Sequence, residues 1–94
     1  IRYHGQDAEL DLGGRRIFIV HYPHYARAMA ATGDYDLVCC GHTHHANVDM
    51  QANLAGHETP IVNPGTIAGL GAAPSYAMVD LNTLECEIVP ISAD

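Results

Sequence analysis

The chain has 94 residues, 48% of them hydrophobic, and carries 4 basic against 11 acidic side chains, a formal charge of −7 with its 7 histidines neutral. A length of this order builds one domain around one modest core, and the composition excludes a disordered chain and a repeat array. The acid excess argues against broad capture of nucleic acid or of an anionic membrane surface, and no apolar run approaches a membrane span.

The segment Ala8-Glu9-Leu10-Asp11-Leu12 alternates apolar and polar residues, as a half-buried strand does, and Gly13-Gly14 is a two-residue hairpin signal. Residues 15–20 read as the returning strand. Its run Ile17-Phe18-Ile19-Val20 is apolar at every position, the pattern of a strand covered on both faces, and His21 ends it. Pro23 suits a first helical turn, Tyr25-Ala26-Arg27-Ala28-Met29-Ala30-Ala31 is rich in helix formers, and Gly33 is the stop. Leu37-Val38-Cys39-Cys40 is a second continuous apolar run, broken by Gly41 and closed by His42.

Strand, helix, strand with a connection of this length predicts a right-handed parallel crossover. If the two strands are neighbours, about 4.8 Å apart, their carboxyl ends leave the sheet at one edge, and His21 and His42 face each other there. The remainder reads as β-structure. Residues 47–53 alternate with Val48, Met50, Ala52 and Leu54 on one side, Ala55-Gly56-His57-Glu58 turns, and Pro60-Ile61-Val62 runs into Asn63-Pro64-Gly65-Thr66. Residues 76–81 and 86–91, joined through Asn82-Thr83, form a closing hairpin. The fold class is therefore α/β (α+β), a mixed sheet with a βαβ unit followed by antiparallel strands, in a single domain over residues 1–94.

Cys39, Cys40 and Cys86 show no C-x-x-C spacing and no disulfide framework, and read as small buried hydrophobes in a reducing cytoplasm. The chain begins with Ile1 rather than Met, which suggests a piece of something longer.

The stretch Cys39-Cys40-Gly41-His42-Thr43-His44-His45-Ala46 places three imidazoles within four positions. In extended backbone, residues two apart share a face, so His42 and His44 would reach one location; on a helix they would diverge by about 200°. Neutral imidazole binds Zn, Mn, Fe, Ni or Co and does not by itself choose among them. A polar loop of solvated histidines explains His42 and His44 as well as a metal does. The independent arrival of His21 at the same edge, where open α/β sheets commonly bind ligands, favours the metal. His24, three residues after His21, suits a supporting hydrogen bond, a substrate contact or plain surface; His45 suits a rim or phosphate-contacting position, and both are carried as catalytic candidates. His4 and His57 read as bland surface positions. Asn63-Pro64-Gly65-Thr66 reads first as a plain turn, and second as an approach of the Gly65 amide and Thr66 hydroxyl to an anion.

Together, Ile17-Phe18-Ile19-Val20-His21, the helix ending at Gly33, Tyr35-Asp36-Leu37-Val38-Cys39-Cys40-Gly41-His42-Thr43-His44 and Val62-Asn63-Pro64-Gly65-Thr66 resemble the C-terminal half of calcineurin-like metallophosphoesterases, the small bacterial and archaeal phosphodiesterase branch most of all. The resemblance covers nearly the whole chain and implies half of a four-layer αββα sandwich. It implies that His21 and His42 ligate one divalent ion and His44 another, the two being Mn, Zn, Fe or Ni about 3.5 to 4 Å apart with a hydroxide between them. The implied reaction is hydrolysis of a phosphodiester or phosphomonoester; the acid excess favours a small phosphate ester or nucleotide, with nucleic acid the less favoured substrate, no membrane partner and a homo-oligomer left open.

Two departures stand out. Tyr22-Pro23 follows His21 where the family commonly has Gly, and the family's N-terminal half, with Asp-x-His, a bridging Asp and Gly-Asn-His-Asp/Glu, has no counterpart in these residues. The chain alone is accordingly expected to bind at most one metal tightly and to hydrolyse poorly. Two other readings fit the same residues: a non-catalytic scaffold of the same fold, and a histidine-based metal-binding module.

Overall fold

A computed structural model describes residues 1–3 and 5–91; the expectation for His4 falls outside the described residues. The chain runs through β1 (Arg2–Tyr3), β2 (Asp7–Leu12), β3 (Arg15–Val20), α1 (Pro23–Ala31), β4 (Leu37–Cys39), β5 (Asn47–Ala52), β6 (Glu58–Asn63), β7 (Ser75–Val79) and β8 (Cys86–Pro90). The β2–β3 turn places Gly13 at φ 57° and Gly14 at φ 79°. Both values lie in the left-handed region that glycine enters without a side-chain penalty, which is why a Gly-Gly pair suits this hairpin.

α1 starts with Pro at its first position, where the absent N–H costs nothing, and the Ala26 amide donates to the Tyr22 carbonyl. It stops at Thr32 and Gly33, the latter at φ 78°. Ala26 and Ala30, both fully buried, are small enough to let the helix sit close on the sheet, against Phe18, Val20, Val38 and Ile61. The Phe18 ring also meets Tyr25 and Tyr35, at centroid distances of 5.7 and 5.0 Å.

Six strands form one sheet in the order β1-β2-β3-β4-β6-β5, and β7 with β8 forms a second. β3 and β4 are parallel neighbours, as the sequence predicts, and β4 and β6 are parallel too, so three strands release their carboxyl ends at one edge. α1 covers one face of the large sheet. The β7–β8 ribbon covers part of the other, its Ala77, Val79 and Cys86 packing on Ile17, Leu37 and Val62. Helix, large sheet and small sheet give the α-β-β layer order expected of half an αββα sandwich.

One burial expectation changes, and the direction of β5 becomes visible. Ile19 is 42% exposed, because the ribbon stops short of it, so β3 is covered on both faces only at its start. Val48, Met50 and Ala52 are exposed as well, while the polar Asp49 and Gln51 bond to Arg27 of α1. The apolar stripe of β5 thus faces outward. Among the described residues no helix is long and apolar enough to cross a membrane.

Candidate functional site

The shared edge of β3, β4 and β6 collects His21, the Gly41–His45 loop and Asn63-Pro64-Gly65. The Gly41 amide donates to the His21 carbonyl at 2.9 Å, which ties the two strand ends together beyond the last ladder pair. Above that tie, His21 Nε2 lies 3.1 Å from His42 Nδ1, with the rings nearly perpendicular at 81°. The juxtaposition expected from the crossover is therefore present.

The loop itself is not extended, so His42 and His44 do not share one face of an extended backbone as the sequence predicts. His42 sits at φ 72° and His44 at φ 63°, the left-handed region that non-glycine residues seldom occupy. The Thr43 amide donates to the Gly41 carbonyl at 2.9 Å, so a tight γ-turn of the rarer hand centres on His42. Backbone strain of this kind persists only where the surroundings enforce it. Asn63 is the enforcer. Only 5% exposed, it donates from Nδ2 to the Gly41 carbonyl at 3.1 Å and to Thr43 Oγ1 at 3.0 Å, while its Oδ1 accepts the Gly65 amide at 3.0 Å.

The Asn63-Pro64-Gly65 turn is therefore more than a reversal of the chain. Its Asn clamps the histidine loop, and its Gly65, at φ 84°, leaves room for the Ser75 hydroxyl, which stands where a Cβ would go. Sequence reasoning missed this role for Asn63. A polar residue following the apolar Ile61-Val62 pair was the only available signal.

His44 turns away from the pair: its Nδ1 lies 3.0 Å from the Leu70 carbonyl. A carbonyl only accepts, so Nδ1 is the donor, and in a neutral ring the lone pair then lies on Nε2, the arrangement in which an imidazole can ligate a metal. His45 lines a hollow of about 430 Å³ with Pro23, Arg27, Thr43 and Asp49. Arg27 pairs with Asp49 at 2.8 Å, and that hydrogen bond, helped by the Met50 amide, holds the Asp49 carboxyl below its usual range. His24 is exposed in the first turn of α1, its ring 5.8 Å from Tyr22. The Tyr22 ring also lies 4.8 Å from His21 and 5.0 Å from His42.

Cys40 is buried on the helix-covered face and Cys39 is part-buried toward the ribbon; burial pushes the Cys39 thiol up to about 11 and raises Cys40 also. Neither is a ready thiolate ligand. Donors on one ion at about 2.0–2.1 Å, at tetrahedral or octahedral angles, stand roughly 2.8–3.4 Å apart. The observed 3.1 Å between His21 Nε2 and His42 Nδ1 fits two such donors. Among the described residues, however, no set of three or more His, Cys, Asp or Glu side chains converges on one point. The pair fits part of a metal site, and His44 stays outside it.

The fold has counterparts among known proteins. The family profile described as calcineurin-like phosphoesterase superfamily domain covers residues 1–84. No curated protein matches significantly. Among solved structures, an archaeal phosphodiesterase is 22% identical with a TM-score of 0.73, over 92% of this chain and 51% of its own. A hypothetical protein of Pyrococcus horikoshii OT3 is 18% identical at TM-score 0.69, over 95% of this chain and 41% of its own. Vps29 of Entamoeba histolytica, solved with zinc, is 20% identical at TM-score 0.58, over 95% of this chain and 63% of its own. The chain thus spans about half the length of the first of these, and at these identities the likeness is one of fold. With the profile match extending over most of its length, the chain belongs to the calcineurin-like phosphoesterase superfamily.

Proposed function

We propose that the protein is a metal-dependent phosphoesterase and that these residues supply the histidine half of its site. In this reading His21 and His42 are donors to one divalent ion and His44 to a second. The observation that carries it is the 3.1 Å approach of His21 Nε2 to His42 Nδ1, on a loop held in a strained turn by a buried Asn63. A solvated polar loop has no need of that strain or of that clamp.

Divalent ions bound there would supply Lewis acidity toward the phosphoryl oxygens and stabilise the departing alkoxide. The residues of this chain do the positioning. Gly41 fixes the spacing of the two strand ends, Asn63 fixes the turn, and the Leu70 carbonyl holds the His44 proton on Nδ1 so that Nε2 stays free. His24 in the first turn of α1 and His45 at the end of the loop, both exposed, serve as contacts for the phosphate ester rather than as ligands. The oxygen donors that complete the site lie, in this reading, outside these residues, which form one half of a metallophosphoesterase domain.

A net charge of −7 supports a small phosphate ester or nucleotide over a polynucleotide. Three free cysteines suit a reducing compartment such as the cytoplasm.

Calorimetric titration of the purified protein with zinc tests the reading. His21→Ala or His42→Ala should each weaken the tightest zinc site by 10-fold or more, roughly the loss expected when a ligand's support goes, and zinc-loaded protein should bind inorganic phosphate. His57→Ala, in an exposed turn, should change neither. Unchanged zinc affinity in His21→Ala, together with no phosphate binding, would leave the non-catalytic scaffold reading.

A further inference from the structure

Tyr22 is a large aromatic residue left 42% exposed within ring-contact distance of both His21 and His42. Among the described residues its hydroxyl makes no hydrogen bond. Its backbone is engaged, the carbonyl accepting the Ala26 amide as α1 begins, so the ring is anchored from below by the helix start. Next to it, His24 exposes a second ring. An aromatic surface therefore borders the point at which the histidine pair would receive a phosphoryl group.

The charge inventory sharpens what that surface is for. The chain has no Lys, and of its four basic residues Arg15 and Arg16 open β3, at the opposite end of the strand from His21. Arg2 lies in β1, and the Arg27 guanidinium is taken by Asp49 and Gln51. Little positive charge is left at the edge to hold the parts of a substrate beyond its phosphoryl group. An aromatic face binds planar groups through stacking, without charge.

We propose that Tyr22 is a specificity-determining residue that stacks on a planar aromatic group carried by the phosphate ester, so that aryl and nucleoside phosphates are preferred to esters whose flanking group is a sugar or an alkyl chain. The inference rests on the phosphoesterase reading and adds to it the class of substrate.

The test compares the dissociation constants of AMP, phenyl phosphate, ribose 5-phosphate and inorganic phosphate for the zinc-loaded protein. Shifts of the His21 and His42 imidazole proton resonances serve as a second readout. AMP or phenyl phosphate should bind about tenfold more tightly than ribose 5-phosphate, the order of one base–aromatic stack. Tyr22→Leu, which keeps apolar bulk but removes the ring, should abolish the difference and leave inorganic phosphate unaffected; Tyr22→Phe should retain it. A gain for AMP alone would assign the contact to a nucleobase, and a gain for both to any planar ester. Unaltered circular-dichroism melting of Tyr22→Leu shows that a lost preference is not lost folding. Equal binding of all four compounds, or a preference that survives Tyr22→Leu, overturns the inference while the phosphoesterase reading stands. Failure of the zinc-loaded protein to bind any of them, inorganic phosphate included, overturns both.

Discussion

The two faces of the six-stranded sheet are built from adjacent residues of the same strands, yet they end differently. On the helix side Phe18, Val20, Val38 and Ile61 are buried with Ala26 and Ala30 in one continuous cluster. On the other side Ile17, Leu37 and Val62 are buried under the β7–β8 ribbon, whereas Ile19, Val48 and Met50 are exposed at 42%, 36% and 49%. One layer of nine helical residues closes its face; a ribbon of two short strands does not close the other. The difference shows where the stability of these residues is concentrated, and it puts the histidine edge at the border between a finished face and an open one.

Phe18 and Ile19 are consecutive, so they give the sharpest contrast. Phe18→Ala should cost about 3–5 kcal/mol, the range for a large aromatic side chain removed from a packed core. Ile19→Ala should cost about 1 kcal/mol or less, since much of its side chain stays in water in the folded state. Urea denaturation of both variants measures the difference. Equal losses would show that the second face is covered in solution.

Much of this architecture is legible in the sequence, for reasons that differ by region. The β3–α1–β4 crossover could be read because each part carries its own signal: an apolar run, a Pro-led helix of strong formers, a Gly stop and a second apolar run. The direction of β5 could not. Its alternation separates Val48, Met50 and Ala52 from Asp49 and Gln51, but periodicity says only that two faces differ. Arg27, some twenty residues earlier, decides which one turns inward, by bonding Asp49 and Gln51 from the helix.

The same distinction separates His21 from His44. The position of His21 follows from the strand that ends at it and from a crossover whose strand, helix and second strand each carry their own sequence signal. The course of the backbone at His42 and His44 depends on Asn63, about twenty residues downstream, and on Leu70 beyond it. Gly41 is the residue best suited to a positive φ, yet the left-handed positions are His42 and His44 themselves. Asn63→Ala tests that dependence. It removes both donations to the loop and the acceptor for the Gly65 amide, a loss of about 2 kcal/mol in stability at roughly 1 kcal/mol or less for each bond. Zinc affinity should fall by about 10-fold or more with it, as when the support of a metal-binding histidine is lost. Retained zinc affinity in a destabilised Asn63→Ala would mean that the turn at His42 is held without the clamp.

The smallest effect belongs to the open face. Met50 lies on β5, at the edge of the large sheet, and half of it is in solvent. An exposed apolar edge strand is a template for pairing with another chain, and lysine is a common means of blunting one. In a monomer with the packing described, Met50→Lys should change stability by no more than about 0.5 kcal/mol, the usual range for a surface position. Analytical ultracentrifugation run beside the denaturation curve makes the result informative: a loss well beyond that range, accompanied by a lower sedimentation coefficient, would show that this stripe is buried against a partner. An unchanged midpoint with an unchanged coefficient would leave the two faces as unlike in solution as they are in the fold, with Phe18 on the side that bears the stability and Met50 on the side that does not.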